Sequence, residues 1–114
     1  MDTILTFTDR QAFREWLGKH GRENNGIWLL FSKKKEFVTL SAVEALEEAL
    51  CHGWIDGQIQ CLDDAMYKKY FARRKPKSKW SVKNKELAQT LMEKGLMTRQ
   101  GLEAVKRAKE NGFW

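Results

Sequence analysis

The chain has 114 residues, of which 42% are apolar and 32% charged, and its formal net charge is +6 at pH 7. This length predicts one domain spanning residues 1–114, which buries about two-thirds of its unfolded surface and forms a core without disulfide or metal support. The composition argues against a disordered or fibrous chain, and one proline with eight glycines argues against a flexible linker.

Targeting signals are not evident in the sequence. The start, MDTILTFTDRQ, has no basic region and no apolar run of about 7–15 residues, so no secretory signal is predicted. The longest continuous apolar run, Ile27–Phe31, is too short for a membrane helix. We therefore expect a cytoplasmic protein without membrane insertion, in which Cys51 and Cys61 are free thiols. Two cysteines and two histidines without paired ligand spacing predict no metal site, and we expect no other cofactor.

The positive charge is concentrated in one block. Nine basic residues and no acidic one lie between Ala65 and Lys85. Such a block attracts phosphates, acidic proteins or anionic lipid head groups, but it is also typical of a solvated face of a basic protein.

Periodicity and capping signals predict the first elements. Alternation over Ile4–Phe7 predicts a short strand, and Thr8 with Gln11 predicts a capping box that begins a helix ending near Lys19. The apolar segment Ile27–Ser32 predicts a central strand.

A second helix is predicted from the capping box of Ser41 and Glu44. Before it, three lysines are expected to form a turn or a strand end: Lys33, Lys34 and Lys35. The apolar side of the helix is expected to consist of Val43, Leu46, Ala49 and Leu50. Its solvent side is expected to consist of Glu44, Glu47 and Glu48.

A hairpin and two helices complete the predicted order. Gly53 is expected to end the second helix, a strand to follow over roughly residues 57–62, and a returning strand to cover Met66–Arg73 after a turn at Asp63 and Asp64. Residues 74–79, which include the only proline, Pro76, are expected to form a loop. Two further helices are predicted from their caps and apolar stripes. The caps are Ser81 and Thr98, and the stripes are Leu87, Ala88 and Leu91, then Leu102, Val105 and Ala108.

The predicted order is β-α-β-α-β-β-α-α. This order predicts an α+β fold with a small, mostly antiparallel sheet of about four strands packed with about four helices.

Four segments carry a resemblance to a known family. They read EEALCHGWIDGQ at Glu47–Gln58, FARRKPKSKWSVKN at Phe71–Asn84, LMEKGLMTRQG at Leu91–Gly101 and AKENGFW at Ala108–Trp114. On these motifs the chain resembles the YdeI/OmpD-associated family, also called the bacteriocin-protection family. The resemblance implies a small cytoplasmic bacterial α+β protein linked to resistance against bacteriocins and cationic antimicrobial peptides, and it implies no catalytic residue. His52 departs from the aromatic residue usual there, which makes it a poor candidate for an essential base, and Ala72 departs from a frequent proline.

Two features of the central segment suggest a binding site. Asp56 either caps a turn through backbone N–H groups or holds the guanidinium of Arg73 or Arg74. Ser81 is the expected cap of a helix whose free N–H groups and positive dipole end favour anions, and Asn84 follows at the third helical position. The candidate ligand-binding residues are Trp54, Asp56, Arg73, Arg74, Lys77, Ser78, Trp80, Ser81 and Asn84.

Three functions follow from this set. The first is a non-catalytic module that binds an anionic small molecule or an acidic protein segment. The second is single-stranded nucleic-acid binding, because basic and aromatic residues interleave in YKKYFARRKPKSKW. The third is an enzyme with Asp56 as general base, which ranks below binding because no set of nucleophile, base and orienting group is visible.

Overall fold

Four strands and four helices follow one another in the predicted order, so the prediction of an α+β fold is confirmed. The computed structural model describes residues 4–34, 39–75 and 77–114. The strands are β1 (Ile4–Leu5), β2 (Gly26–Ser32), β3 (Trp54–Cys61) and β4 (Met66–Arg73), and the helices are α1 (Arg10–His20), α2 (Ala42–Cys51), α3 (Val82–Glu93) and α4 (Arg99–Asn111). The predictions for Lys35 and Pro76 lie outside the described residues.

The strands form one sheet in the order β1-β2-β4-β3. β1 pairs with β2 in parallel, and the other two pairings are antiparallel, as the sequence predicts for most of the sheet. The register of β3 against β4 shifts between Asp56 and Ile59, where β3 contains one extra residue. This irregularity is a β-bulge, which bends the edge strand.

One face of the sheet packs against α1 and α2. Every second residue of β2 from Ile27 to Phe31 enters this core, and β4 contributes Phe71, with Tyr67 packed against it. The core residues are Phe13 and Leu17 from α1, Ala45 and Ala49 from α2, and Ile27, Leu29, Phe31, Trp54 and Phe71 from the strands. Trp54 contacts Trp16 edge-on, with ring centroids 5.9 Å apart.

A second apolar cluster joins α2 to α3 and α4. Leu46 and Leu50 lie one residue after Ala45 and Ala49, so they occupy the neighbouring stripe of α2. They pack with Cys51, Trp80, Ala88, Leu91, Val105 and Ala108. α2 therefore lies between the sheet and the C-terminal helices. Among the described residues, no helix is long and apolar enough to cross a bilayer.

The predicted helix caps are confirmed with one exception. The side chains of Ser41, Ser81 and Thr98 accept hydrogen bonds from backbone N–H groups of α2, α3 and α4. At α1, however, the cap is Asp9 and not Thr8: the carboxylate accepts from the Ala12 N–H at 2.9 Å. Threonine and aspartate are both good helix caps, so the sequence pattern alone does not decide whether α1 is capped by residue 8 or residue 9.

Strand β3 begins earlier than predicted. It starts at Trp54 and not near Gly57, because its first residues pair with the end of β4: Trp54 lies opposite Arg73 and Asp56 opposite Phe71. Gly57 is a residue typical of turns, and the residues just before it were therefore predicted to form a turn. The returning strand Met66–Arg73 and the turn at Asp63 are confirmed, with Asp63 Oδ1 accepting from two backbone N–H groups.

Glu48 does not face solvent, so that prediction is wrong. Its side chain is 0% exposed and accepts hydrogen bonds from Arg10 Nε and Nη2 (2.9 and 2.7 Å) and Arg14 Nε and Nη2 (2.6 and 3.3 Å). The two arginines lie one turn apart on α1 and reach across to α2.

Among the apolar residues predicted to point inward, Val43 is 65% exposed and Leu102 is 47% exposed.

Candidate functional site

A cavity of about 730 Å³ lies where the end of α1 and the loop after it, the turn between α2 and β3, the end of β4 and one side of α4 converge. Its volume is in the range of small-molecule sites, about 300–1,000 Å³. Its basic lining residues are Arg22, Arg73, Arg74, Lys75 and Arg107, and its acidic lining residue is Glu103. The polar lining residues are Asn25, His52, Tyr70, Thr98 and Gln100, and the larger apolar ones are Leu17, Trp54, Ala72 and Ala104.

Backbone contacts at the end of α2 hold the cavity walls together. Thr98 donates to the Cys51 carbonyl from its backbone N–H at 2.9 Å and from its hydroxyl at 2.5 Å, which fixes the start of α4. The Arg74 N–H donates to the Gly53 carbonyl at 2.9 Å, which fixes the end of β4. Gly53 has a φ of 78°, a left-handed conformation that favours glycine.

The start of α4 approaches α2 so closely that only glycine fits at one position. A Cβ on Gly101 would lie 2.3 Å from the Cys51 carbonyl oxygen. The missing side chain therefore brings the first turn of α4 against the α2–β3 turn, and with it the lining residues Gln100, Glu103 and Ala104.

Arg73 and Arg22 are held by neutral groups on one side of the cavity. Arg73 donates to the Asn25 side-chain oxygen at 2.7 Å and to the Arg22 carbonyl at 3.2 Å. The Gln100 side-chain amide is oriented so that both its oxygen and its nitrogen form hydrogen bonds. In this orientation the oxygen accepts from Arg22 Nε at 2.7 Å and from Arg22 Nη2. These bonds orient both guanidinium groups without neutralising them.

Arg74 is held by different groups, with its guanidinium carbon 3.8 Å from the centre of the Trp80 ring. Its Nη2 donates to the Lys79 carbonyl at 3.0 Å, whereas Nε and Nη1 are buried and have no hydrogen-bond partner within the described part of the chain. Burial lowers the pKa of Arg74 to about 10, and the Asp56 carboxylate opposes that shift. The group therefore remains charged at neutral pH.

Within the described residues, the cavity cations have no acidic partner at ion-pair distance. Across residues 4–34, 39–75 and 77–114, every ion pair within 4 Å involves other basic residues: Arg10, Arg14, Lys69 and Arg99. Glu103, the acidic residue of the lining, is paired with Arg99 at 3.2 Å. Five positive side chains therefore line the cavity, and within the described residues none of them has a carboxylate within 4 Å.

The predicted site residues fall into three groups. Trp54, Arg73 and Arg74 line the cavity. Ser78 and Trp80 line a small adjoining cavity together with Arg74, Lys75 and Arg107. The other four are not among the lining residues of either cavity in the described structure: Asp56, Lys77, Ser81 and Asn84.

Asp56 does not lie in a turn, so its predicted role as a turn cap is wrong. It lies within β3, and its Oδ2 is 2.7 Å from Lys69 Nζ on the paired strand. Ser81 has the predicted structural role, because its hydroxyl accepts from the Asn84 N–H at 3.1 Å. Lys77 is exposed.

Several lining residues were not predicted from the sequence. Arg22 and Asn25 lie in the loop after α1, and Gln100 and Arg107 lie on α4. Gly101 inside an otherwise helical segment was the one available signal, since a glycine there often marks a close approach of two backbones. The two basic residues of this group, Arg22 and Arg107, lie far apart in the sequence and belong to no local pattern.

In a comparison with protein families, residues 5–104 match a domain of unknown function, DUF8412. That range includes all the cavity residues except Arg107. No curated protein and no solved structure matches the chain. The match covers most of the chain, which therefore belongs to the DUF8412 family.

Proposed function

We propose that the protein is a non-catalytic module that binds an anionic small molecule, or the acidic segment of a partner protein, in the cavity between α1, β4 and α4. The cavity is concave, it has apolar walls at Leu17, Trp54 and Ala104, and its charged groups come from several elements. These are the usual features of a small-ligand site.

One observation carries this proposal: the five basic side chains of the lining have no ion-pair partner in the described structure, whereas arginines elsewhere are paired. Like charges gathered in a cleft repel one another and raise the local concentration of anions. Arg74 adds a partly buried charge with two unpartnered nitrogens. An anion in the cavity would offset this charge, and arginine forks match carboxylate and phosphate oxygens.

Calorimetric titration with inorganic phosphate at low ionic strength tests the proposal. The double variant Arg73→Gln/Arg74→Gln removes two charges from the lining and is expected to weaken binding about tenfold or more. The control Lys83→Gln/Lys106→Gln removes the same charge from exposed positions on α3 and α4 outside the lining. Equal affinities in the two double variants would contradict the proposal, because binding would then depend on net charge alone.

For the cellular role, we propose protection against bacteriocins or other cationic antimicrobial peptides from within the cytoplasm. The support is the resemblance of the motifs at 47–58 and 71–84 to the YdeI/OmpD-associated family. A bacterial strain that lacks the gene should become more sensitive to a cationic peptide. Complementation with the natural chain should restore resistance, and complementation with Arg73→Gln/Arg74→Gln should not. Unchanged sensitivity on deletion would contradict this role.

Single-stranded nucleic-acid binding is the second candidate, and its support is the interleaving of basic and aromatic residues. In the fold, however, most of these rings are already packed: Phe71 is buried, Trp80 lies under Arg74, and Tyr67 stacks on Phe31. Stacking of bases needs exposed rings. A salt titration with an oligonucleotide discriminates, because contacts with phosphates produce a steep loss of affinity as salt rises.

An enzyme that uses Asp56 as its base has the least support. The Asp56 carboxylate is paired with Lys69 at 2.7 Å and is not among the described lining residues of the cavity. A general base must reach the proton it abstracts. Activity screening with Asp56→Asn as the comparator tests this candidate, and an equally active variant would exclude the role.

A further inference from the structure

Three buried nitrogens on two side chains have no hydrogen-bond partner within the described residues: Arg74 Nε, Arg74 Nη1 and Trp80 Nε1. The two side chains are in contact, since the guanidinium carbon of Arg74 lies 3.8 Å from the centre of the Trp80 ring. Buried indole and guanidinium N–H groups usually have a partner. All three nitrogens are donors, so the group that would pair with them is an acceptor.

Both side chains line the small cavity that adjoins the main cavity between α1, β4 and α4. The two cavities share four lining residues, which are Arg74, Lys75, Ala104 and Arg107. The small cavity has a volume of about 10 Å³, close to the smallest space that holds one water molecule. It therefore has room for a single oxygen atom, and the rest of a ligand would lie in the main cavity.

The polar side chains that line the small cavity are all hydrogen-bond donors: Arg74, Lys75, Ser78, Trp80 and Arg107. Three of them are cations, and the described lining includes no carboxylate and no side-chain amide. A water molecule donates as well as accepts, and Ser78 is the one side chain in this described lining that accepts from it. An anionic oxygen only accepts, so it suits this lining better than water does.

Contacts with residues outside the described lining hold both side chains in place. The Trp80 ring packs against Trp114, with ring centroids 5.0 Å apart, and the Trp80 backbone N–H donates to the Phe113 carbonyl at 3.0 Å. Arg74 donates from Nη2 to the Lys79 carbonyl at 3.0 Å. The donors are therefore oriented before a ligand binds, which reduces the entropy that binding costs.

We propose that the small cavity is the subsite that anchors the anionic ligand: one oxygen of a carboxylate or phosphate group enters it and accepts hydrogen bonds from Trp80 Nε1 and the unpartnered Arg74 nitrogens. This inference rests on the proposed function and adds the chemical class of the anchoring group, an oxyanion with a free oxygen. The charges of Lys75 and Arg107, which line both cavities, favour an anion at this place.

An NMR titration of the natural chain with inorganic phosphate at low ionic strength tests the subsite. It follows the indole N–H signals of the five tryptophans, assigned with single tryptophan-to-phenylalanine variants. The Trp80 signal should shift most, and downfield, because its N–H gains a charged acceptor. Trp28 is the internal reference. It is as buried as Trp80 (8% and 7% exposed) and also has a cation over its ring, Lys68 Nζ at 4.3 Å, but it is not among the described residues that line either cavity.

Calorimetry on two variants gives a second readout. Trp80→Phe keeps an aromatic ring beside Arg74 and removes one donor, so phosphate should bind about tenfold or more weakly than to the natural chain. Trp28→Phe is the matched control and should bind phosphate as the natural chain does.

The possible results separate the subsite from the proposed function. If phosphate shifts the indole signal of Trp54, which lines the main cavity, but leaves that of Trp80 unchanged, the subsite is overturned and the anion site of the main cavity stands. Equal phosphate affinities of Trp80→Phe and Trp28→Phe would overturn the subsite as well. If the natural chain does not bind phosphate, the subsite and the proposed function fail together.

Discussion

The Arg74 guanidinium lies over the Trp80 ring, with its carbon 3.8 Å from the ring centre, and two of its three nitrogens have no hydrogen-bond partner in the described part of the chain. Burial lowers the pKa of Arg74 to about 10. A charge held in this way contributes little to folding, because its loss of hydration is not offset by a paired carboxylate. Its position at the cavity points to binding as the reason for an arginine here.

Arg74→Met tests whether Arg74 contributes little to the stability of the fold. Methionine covers the Trp80 ring without needing hydrogen bonds, so the free energy of unfolding should stay the same or rise by up to about 2 kcal/mol. Arg14→Met is the matched control, because Arg14 pairs with the buried Glu48. It should lower the free energy of unfolding by about 1–3 kcal/mol, since its loss leaves that carboxylate with fewer partners. If urea denaturation shows that Arg74→Met and Arg14→Met lower the free energy of unfolding equally, Arg74 has a structural role.

Glu48→Gln should lower the free energy of unfolding by about 1–3 kcal/mol, because Arg10 and Arg14 then lose the carboxylate that both of them bind. Solvent screening weakens these ion pairs, because both arginine side chains are more than one-third exposed. The neighbouring Glu47→Gln is the control. Glu47 is 23% exposed and, among the described residues, forms an ion pair with Arg10 alone at 3.1 Å, so its loss should cost less than about 1 kcal/mol. Urea denaturation measures both, and equal costs would contradict the assigned role of Glu48.

The two helical glycines should respond to alanine with opposite signs. Gly101→Ala should destabilise the fold by about 1–3 kcal/mol, because the new Cβ meets the Cys51 carbonyl. Gly18→Ala, in α1 with nothing within 4 Å of the new atom, should stabilise it by about 0.5–1 kcal/mol. Thermal unfolding of both variants measures the difference. A neutral Gly101→Ala would show that α4 can move away from α2 at no cost.

The two cysteines should differ in reactivity. Burial raises the pKa of Cys51 to about 11, and Cys61 is exposed. A thiol-reactive dye at pH 8 should label one cysteine per chain at once and the second only after unfolding, because the thiolate is the reactive form. Rapid labelling of both cysteines in the folded protein would contradict the buried position of Cys51.

The same shift in pKa predicts a loss of stability at alkaline pH. The native state holds the Cys51 proton more tightly than the unfolded state, whose thiol has a pKa of about 8.5. This contribution is fully present below about pH 8.5 and is lost as the pH rises towards 11. The natural chain should therefore lose more stability than Cys51→Ala between pH 8 and pH 10.5. Parallel curves from urea denaturation would contradict the shift.

The sequence predicted the elements of the fold well because the signals are local. The caps at Ser41, Ser81 and Thr98 and the alternation of Met66–Arg73 lie within one turn or one strand, and all four are confirmed. The errors arose where a distant partner decides the outcome. Glu48 is buried because Arg10 and Arg14, more than 30 residues away, reach it from another helix.

The site was only partly predictable for the same reason. Trp54, Arg73 and Arg74 were found from the basic block and its aromatic neighbours, and all three line the cavity. Arg22 and Gln100 face each other only because α1 ends where α4 begins, a relationship set by packing on α2. No spacing along the chain encodes it.

The most direct test of the anion site is a titration of the isotope-labelled protein with inorganic phosphate, followed through its backbone amide resonances. The largest shifts should fall on amides around the cavity: Gly53, Arg73, Arg74 and Gln100. The amides of residues 82–84, at the start of α3, should shift little, because neither these residues nor Ser81 is among the described residues that line the cavity. Shifts confined to residues 82–84, or absent around the cavity, would contradict the assignment.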